Sequence, residues 1–164
     1  MDKAKVHVYC GTGQGKTASA LGQGIHEASQ GKSVIIIQFL KEINVEEYQF
    51  FRRLEPEIKV FRFEKSPDSF DSLSKEERTE ERQNLKNGLN FAKKVLATNM
   101  CDVLILDEVM GLVENEVATV EEIETILNAR NEETEVILTG INKGRELWND
   151  VDEVTELVTI HKRS

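Results

Sequence analysis

Cysteine, a surplus of basic residues and long apolar runs are what this chain lacks, and each absence removes a class of protein. Two cysteines, Cys10 and Cys101, stand far apart and in no C-x-x-C pair, so no disulfide framework holds the fold together. Both read as free buried thiols of a reducing compartment. No stretch approaches the ~18 consecutive apolar residues of a membrane-spanning helix. The opening Met1-Asp2-Lys3-Ala4-Lys5 runs into the first strand without a signal-peptide core. The expectation is a cytoplasmic protein with no membrane partner. Acidic residues outnumber basic ones by 30 to 21, for a net charge of −9. Such a chain lacks the Lys/Arg excess on which nucleic-acid affinity rests, so any polyanion it binds is small and held in a local basic niche. Repeats, linkers and low-complexity tracts are missing too. The 164 residues read as one domain over 1–164, long enough to bury about two thirds of its unfolded surface.

What is there is alternation of strand and helix patterns. Val6 to Tyr9 reads as a strand, and Thr17 to Gln30 as a helix with Ala18, Leu21, Ile25 and Ala28 on its apolar face. Residues 33–39 form a continuous β-branched run, the mark of a parallel strand buried on both faces. A short amphipathic helix follows around Val45, Tyr48, Phe51 and Leu54, then a more exposed third strand over 58–63 and a polar loop from Glu64 to Leu73. Ser74 and Thr119 each stand three residues before a glutamate, which is capping-box spacing, and open two further helices. Residues 102–108 and 136–140 are buried strands, a short helix runs through Leu147 and Trp148, and 154–160 closes the chain as a last strand or edge segment. Trp148 is expected to anchor its helix on the core, and the Glu76 to Arg82 charge run to be a solvated face. The pattern argues an α/β three-layer sandwich with a mainly parallel sheet and right-handed crossovers.

The chemistry concentrates in Gly11-Thr12-Gly13-Gln14-Gly15-Lys16-Thr17, at the first strand-to-helix junction. Glycines let backbone N–H groups face anionic oxygens, a helix N-terminus adds its positive end, and an ammonium and a hydroxyl complete a phosphate cradle. A dinucleotide fingerprint would need glycine at Lys16 and an acidic residue near Gln38, and has neither. The ordinary P-loop would place its first glycine at Cys10, so this loop is one residue shorter. Asp107 and Glu108 end an apolar strand expected to lie beside the first, delivering a carboxylate, with the Thr17 hydroxyl, to a phosphate-bound Mg2+. His7, His26 and His161 have no metal-ligand spacing.

Gly11 to Gly22, then Val34-Ile35-Ile36-Ile37-Gln38-Phe39-Leu40-Lys41, Leu106-Asp107-Glu108, Ile137-Leu138-Thr139-Gly140 and Asp152 to Leu157 resemble, in order and spacing, the P-loop corrinoid (cob(I)alamin) adenosyltransferases. The resemblance covers nearly the whole chain and implies a P-loop NTPase-like, RecA-like fold. It implies ATP as co-substrate, a reduced corrinoid as substrate, Mg2+, a homodimer and a flavoprotein reductase as partner. In that reaction the triphosphate lies reversed in the loop, cob(I)alamin attacks the ribose 5′ carbon, a cobalt–carbon bond forms and triphosphate leaves. Gly11, Thr12, Gly13, Gln14, Gly15, Lys16 and Thr17 would cradle the triphosphate. Thr17, Asp107 and Glu108 would hold the metal, with Lys16 and Glu108 the residues implied for catalysis. Lys41 would reach the nucleotide as an extra cation, its alternative being a solvated surface lysine.

Three departures from the family pattern stand out. Gln14 replaces a basic residue, Ile141 follows Thr139-Gly140 where arginine is common, and Phe70 alone remains of an aromatic segment that packs on the corrinoid. Two other readings therefore stay open. One is a P-loop ATPase or small-molecule kinase; the other is an ATP-binding regulatory protein that has lost catalysis.

Overall fold

The computed structural model describes residues 4–41 and 44–164. Its strands are β1 (Val6–Cys10), β2 (Val34–Gln38), β3 (Ile58–Arg62), β4 (Val103–Asp107), β5 (Glu135–Gly140) and β6 (Glu153–Glu156). Its helices are α1 (Lys16–Ser29), α2 (Val45–Arg52), α3 (Lys75–Ala97), α4 (Met110–Glu114) and α5 (Val120–Asn128). The strands form one sheet in the order β3-β2-β4-β5-β1-β6, with every neighbouring pair parallel. This is the α/β fold of P-loop NTPase-like proteins. The strand order corrects one expectation: β4, which ends in Asp107, lies between β2 and β5, and β5 separates it from the loop strand β1.

Two apolar layers explain why these segments settle as they do. Ile35, Ile37, Leu104, Leu106, Val136 and Leu138 face α3, α4 and α5 through Leu85, Leu89, Leu112, Ile123 and Leu127. Alternate residues Val34, Ile36, Val103, Ile105 and Ile137 face the other way, toward Ala20 of α1 and Leu54 just beyond α2. Strands between two helical layers have no solvent face, which is why β2 and β4 are buried along their whole length. Burial of each large aliphatic side chain stabilises by about 1.5–3 kcal/mol, so the central strands carry the sheet.

The helix starts match the caps in the sequence. Ser74 Oγ accepts from the Glu77 N–H at 3.2 Å and Thr119 Oγ1 from the Glu122 N–H at 3.1 Å. Several face assignments differ. α1 buries Ala20, Gly24 and Glu27, not Ala18 or Ile25, and Ile25 is 48% exposed. A Cβ on Gly24 would stand 3.0 Å from Ile105 Cδ1, so a small residue lets this helix lie close on the sheet. In α2 only Phe51 is buried, leaving Val45 and Tyr48 exposed. Trp148 does not anchor anything in the core: it is 42% exposed, and Leu147 beside it is the buried residue of that 3-10 turn. The charge run on α3 is not wholly solvated either, since Glu81 is buried within it. The last strand ends at Glu156, so 157–160, expected to continue it, lie outside it. No helix among the described residues is long and apolar enough to cross a membrane, and Cys10 and Cys101 are both free and buried.

Candidate active site at the carboxyl edge of the sheet

The loop after β1 is laced between two neighbours. The Gly11 N–H donates to Ile141 O at 3.1 Å, and the Gly13 N–H donates to Leu157 O at 3.3 Å. Leu157 in turn donates its N–H to Cys10 O at 2.8 Å. Gly11 has φ +115, and a Cβ there would stand 2.5 Å from Leu157 O; one on Gly13 would stand 2.7 Å from the same oxygen. These two glycines therefore serve the approach of the Leu157 backbone, and their N–H groups face the protein rather than an anion. Among the described residues, no protein acceptor takes the N–H of Gln14, Gly15, Lys16 or Thr17. They are the unpaired donors of the first turn of α1, and they open on a cleft of about 440 Å3 lined by Gln14, Gly15, Lys16, Thr17, Leu21, Glu47 and Glu108. Lys16 folds back, its Nζ 3.1 Å from Gly13 O.

Beneath that cleft lies Asp107, 2% exposed. Its Oδ1 accepts from the Thr17 hydroxyl at 2.9 Å and from the Thr139 hydroxyl at 2.8 Å. Thr139 belongs to β5, so the intervening strand joins the loop to the carboxylate. Asp107 Oδ2 is buried and accepts no hydrogen bond, but it forms an ion pair with Lys41 Nζ at 3.0 Å. Lys41 is thus not a solvated surface lysine. The oxygens of a buried carboxylate and of an adjoining hydroxyl are the hard donors a divalent ion takes. Thr17 and Asp107 place two such oxygens side by side.

Glu108 does not continue β4. It turns into the left-handed region at φ +62, and its N–H donates to Thr139 Oγ1 at 2.7 Å. That turn brings its half-buried side chain into the loop cleft. Burial, and then the neighbouring Asp107 charge, push its carboxyl above the usual range, against the pull of Lys16 and Lys41. At the end of β2, Leu40 is also left-handed at φ +56. Its N–H donates to Glu64 Oε1 at 2.7 Å, and its side chain fills the space that a Cβ on Gly111 would need. Non-glycine residues held in this region cost on the order of 1 kcal/mol or more and cluster at functional sites.

A second cleft, of about 400 Å3, adjoins the first at Glu47 and runs between α2 and the ends of β2 and β3. Tyr48, Phe51, Val60 and Phe61 give it apolar walls, and Gln38, Lys41, Arg62 and Glu64 give it polar groups. Gln38 lies in register with both Asp107 and Arg62.

Gln14 to Thr17 share the loop cleft with Glu108, and Lys41 reaches Asp107 beneath it; Gly11 and Gly13, expected in the cradle, instead give their N–H groups to Ile141 and Leu157. Phe70 stands apart: it lies in a 3-10 turn, packs against the core beside α3, and has Arg78 5.8 Å over its ring. It lines neither cleft. Reasoning from sequence gave no role to Glu64 or Glu81, and took Leu157 only as the end of a family-like segment. Glu81 accepts from the N–H groups of Lys65 and Ser66, at 3.0 and 3.3 Å, and so holds the loop after β3. Its only sequence signal was a place on the buried stripe of α3, four residues before Leu85.

Known proteins resemble this chain along its length. The family model for the ATP:corrinoid adenosyltransferases BtuR/CobO/CobP matches residues 2–164. The corrinoid adenosyltransferase of Escherichia coli (strain K12) is 29% identical over 162 residues, spanning 95% of this chain and 77% of that protein. Corrinoid adenosyltransferase CobA of Salmonella typhimurium (strain LT2) is 28% identical over 162 residues, with 95% and 77% covered. The match runs the length of the chain, through the loop, the Asp107 strand and the Leu157 segment alike: this protein belongs to the ATP:corrinoid adenosyltransferase family.

Proposed function

We propose that the protein transfers the 5′-deoxyadenosyl group of ATP to a reduced corrinoid, cob(I)alamin or a related cob(I)yrinic acid derivative, with release of triphosphate. The observation that carries this reading is the set of unclaimed N–H groups from Gln14 to Thr17, opening on the cleft that Glu108 lines and that Asp107 underlies. In the reaction the cobalt nucleophile forms a bond to the ribose 5′ carbon, the carbon–oxygen bond to the triphosphate breaks, and its electron pair leaves with the phosphate chain. The substrate supplies its own nucleophile, so the protein's work is to orient the chain and neutralise its charge.

The N–H groups of Gln14 to Thr17 bind the triphosphate, and Lys16 leaves Gly13 O to add an ammonium. Gln14 contributes its backbone donor without a second cation. Thr17, Asp107 and Glu108 would hold Mg2+, and the ion would supply positive charge to the triphosphate. Thr139 orients both Asp107 and Glu108. The cleft beside Tyr48 and Phe51, joined to the first at Glu47, gives the corrinoid an apolar wall, with Phe70 outside it. By the same reading the enzyme is a cytoplasmic homodimer of one domain per chain, supplied with electrons by a flavoprotein reductase.

The second reading, ATP hydrolysis or phosphoryl transfer to a small molecule, is favoured by one feature. Glu108 lines the loop cleft with a raised carboxyl beside Asp107, where it is able to orient a water. Mixing the protein with Mg-ATP and chemically reduced cobalamin under anaerobic conditions separates the two. The first reading expects the corrinoid spectrum to change to that of the cobalt–carbon product, with ATP consumed only when corrinoid is present. ATP turnover at the same rate without corrinoid, and an unchanged corrinoid spectrum, support the second.

A further inference from the structure

The two oxygens of Asp107 are treated differently. Oδ1 receives two hydroxyl donors, from Thr17 and Thr139, while Oδ2 receives no hydrogen bond and faces the Lys41 ammonium at 3.0 Å. A carboxylate this deeply buried needs a countercharge, because its desolvation is otherwise uncompensated. Lys41 supplies it, and the fold is built to put it there. The Phe39 N–H donates to Asp107 O at 2.9 Å, fixing the end of β2 against the end of β4. Leu40 then takes a left-handed turn, held by Glu64 on one side and seated over Gly111 on the other. That turn aims the next residue back over the carboxyl edge of β4.

We propose that Lys41 is a stand-in cation. It competes with a divalent ion for Asp107 Oδ2, so the free protein binds such an ion poorly and admits it in company with a nucleotide, when the ammonium leaves Asp107 for the polyphosphate. The proposal rests on the reading of the loop as a triphosphate site. The physical reason is charge balance. One carboxylate with an ammonium beside it is neutral and offers a dication little, whereas a polyphosphate brings several negative charges and gives the displaced ammonium a new partner. The device keeps Asp107 ordered between turnovers and couples metal loading to nucleotide loading.

The test uses Mn2+ alone as probe, with free aquo ion counted by its paramagnetic resonance signal, in protein without ATP or corrinoid. Lys41→Met and Lys41→Gln are expected to bind Mn2+ at least tenfold more tightly than the parent protein. Lys41→Arg, which keeps the charge, and Lys59→Met, which removes one charge from an exposed position on β3, are expected to stay within threefold of it. Adding Asp107→Asn to Lys41→Met is expected to abolish the gain. Equal Mn2+ affinity in parent and Lys41→Met overturns the proposal, as does a gain that survives Asp107→Asn or is matched by Lys59→Met. The titration contains neither substrate, so it separates from the function itself. A protein that tightens tenfold and never alkylates cobalamin refutes only the proposed reaction; one that alkylates cobalamin and shows no tightening refutes only the stand-in role.

Discussion

The half of the site built on β1, β5 and β6 and the half built on β2, β3 and α2 are made of different materials. The first is almost all backbone: Gly11 and Gly13 give their N–H groups to Ile141 and Leu157, and the next four N–H groups have no protein acceptor among the described residues. The second is made of side chains from distant parts of the chain, with Glu64 holding Leu40, Lys41 on Asp107, and Glu81 holding Lys65 and Ser66. Backbone geometry is written in a short glycine-rich motif, whereas long-range side-chain pairs leave no local pattern. The second half thus rests on the ion pair of Lys41 with Asp107 and on carboxylates that hold backbone N–H groups.

The largest effect is expected at the loop's own cation. Lys16→Ala should lower ATP affinity or adenosyl transfer on the order of 10²–10³-fold, the size of losing one well-placed charge donor at a developing anion. Equilibrium binding of labelled ATP measures it, and an unchanged affinity would dissolve the contrast by removing the loop from the site. Gly13→Ala comes next, because a Cβ there meets Leu157 O at 2.7 Å. It should cost about 1–3 kcal/mol in denaturant unfolding. Gly22→Ala, on an exposed turn of α1 with nothing within 4 Å, should be neutral or stabilise by up to about 1 kcal/mol. Similar outcomes for the two would mean that the Leu157 contact does not set the loop.

On the other side, Glu81→Ala removes the acceptor of two backbone N–H groups and should cost about 2 kcal/mol. Faster hydrogen exchange should be confined to Lys65 and Ser66, and ATP affinity should change less than twofold. A large loss of ATP binding would show that the halves are not separable. The smallest effect is expected at Glu64, whose carboxyl burial pushes up against the opposing pull of the Leu40 N–H and Arg62. An acid with a raised folded pKa destabilises the fold once ionised, so its cost is present at high pH and vanishes as pH falls and it protonates. Glu64→Gln keeps an acceptor for Leu40. It should be more stable than the parent by a few tenths of a kcal/mol near about pH 8, with the gap closing toward about pH 5. A gap that widens as pH falls would reverse the sign assigned to Glu64.

Much of the architecture was legible because the strands alternate with capped amphipathic helices and because β2 and β4 are continuous apolar runs. The strand order was not, and the expectation that β4 lies beside β1 failed for that reason: periodicity fixes which faces are buried, not which strands pair. α1 was misread by its Ile25 and Ala18, since the helix packs through the small residues Ala20 and Gly24, which carry little hydrophobic signal. Trp148 misled in the opposite sense, because a large ring whose Nε1–H bonds Lys143 O at 2.8 Å is content near solvent. Within the site, Gly11 to Thr17, Asp107 and Glu108 announced themselves by spacing. Lys41 was equally readable as a surface residue until Asp107 was found opposite it, and Glu64 and Glu81 lay among ordinary surface carboxylates in the sequence.

The central claim is that the loop holds the triphosphate as a leaving group and not as a phosphoryl donor. Phosphorus magnetic resonance of the reaction of this protein with Mg-ATP and reduced cobalamin tests it most directly. One equivalent of inorganic triphosphate is expected for each cobalt–carbon bond formed, and no ADP. Accumulation of ADP with orthophosphate or a phosphorylated acceptor, without triphosphate, would contradict it.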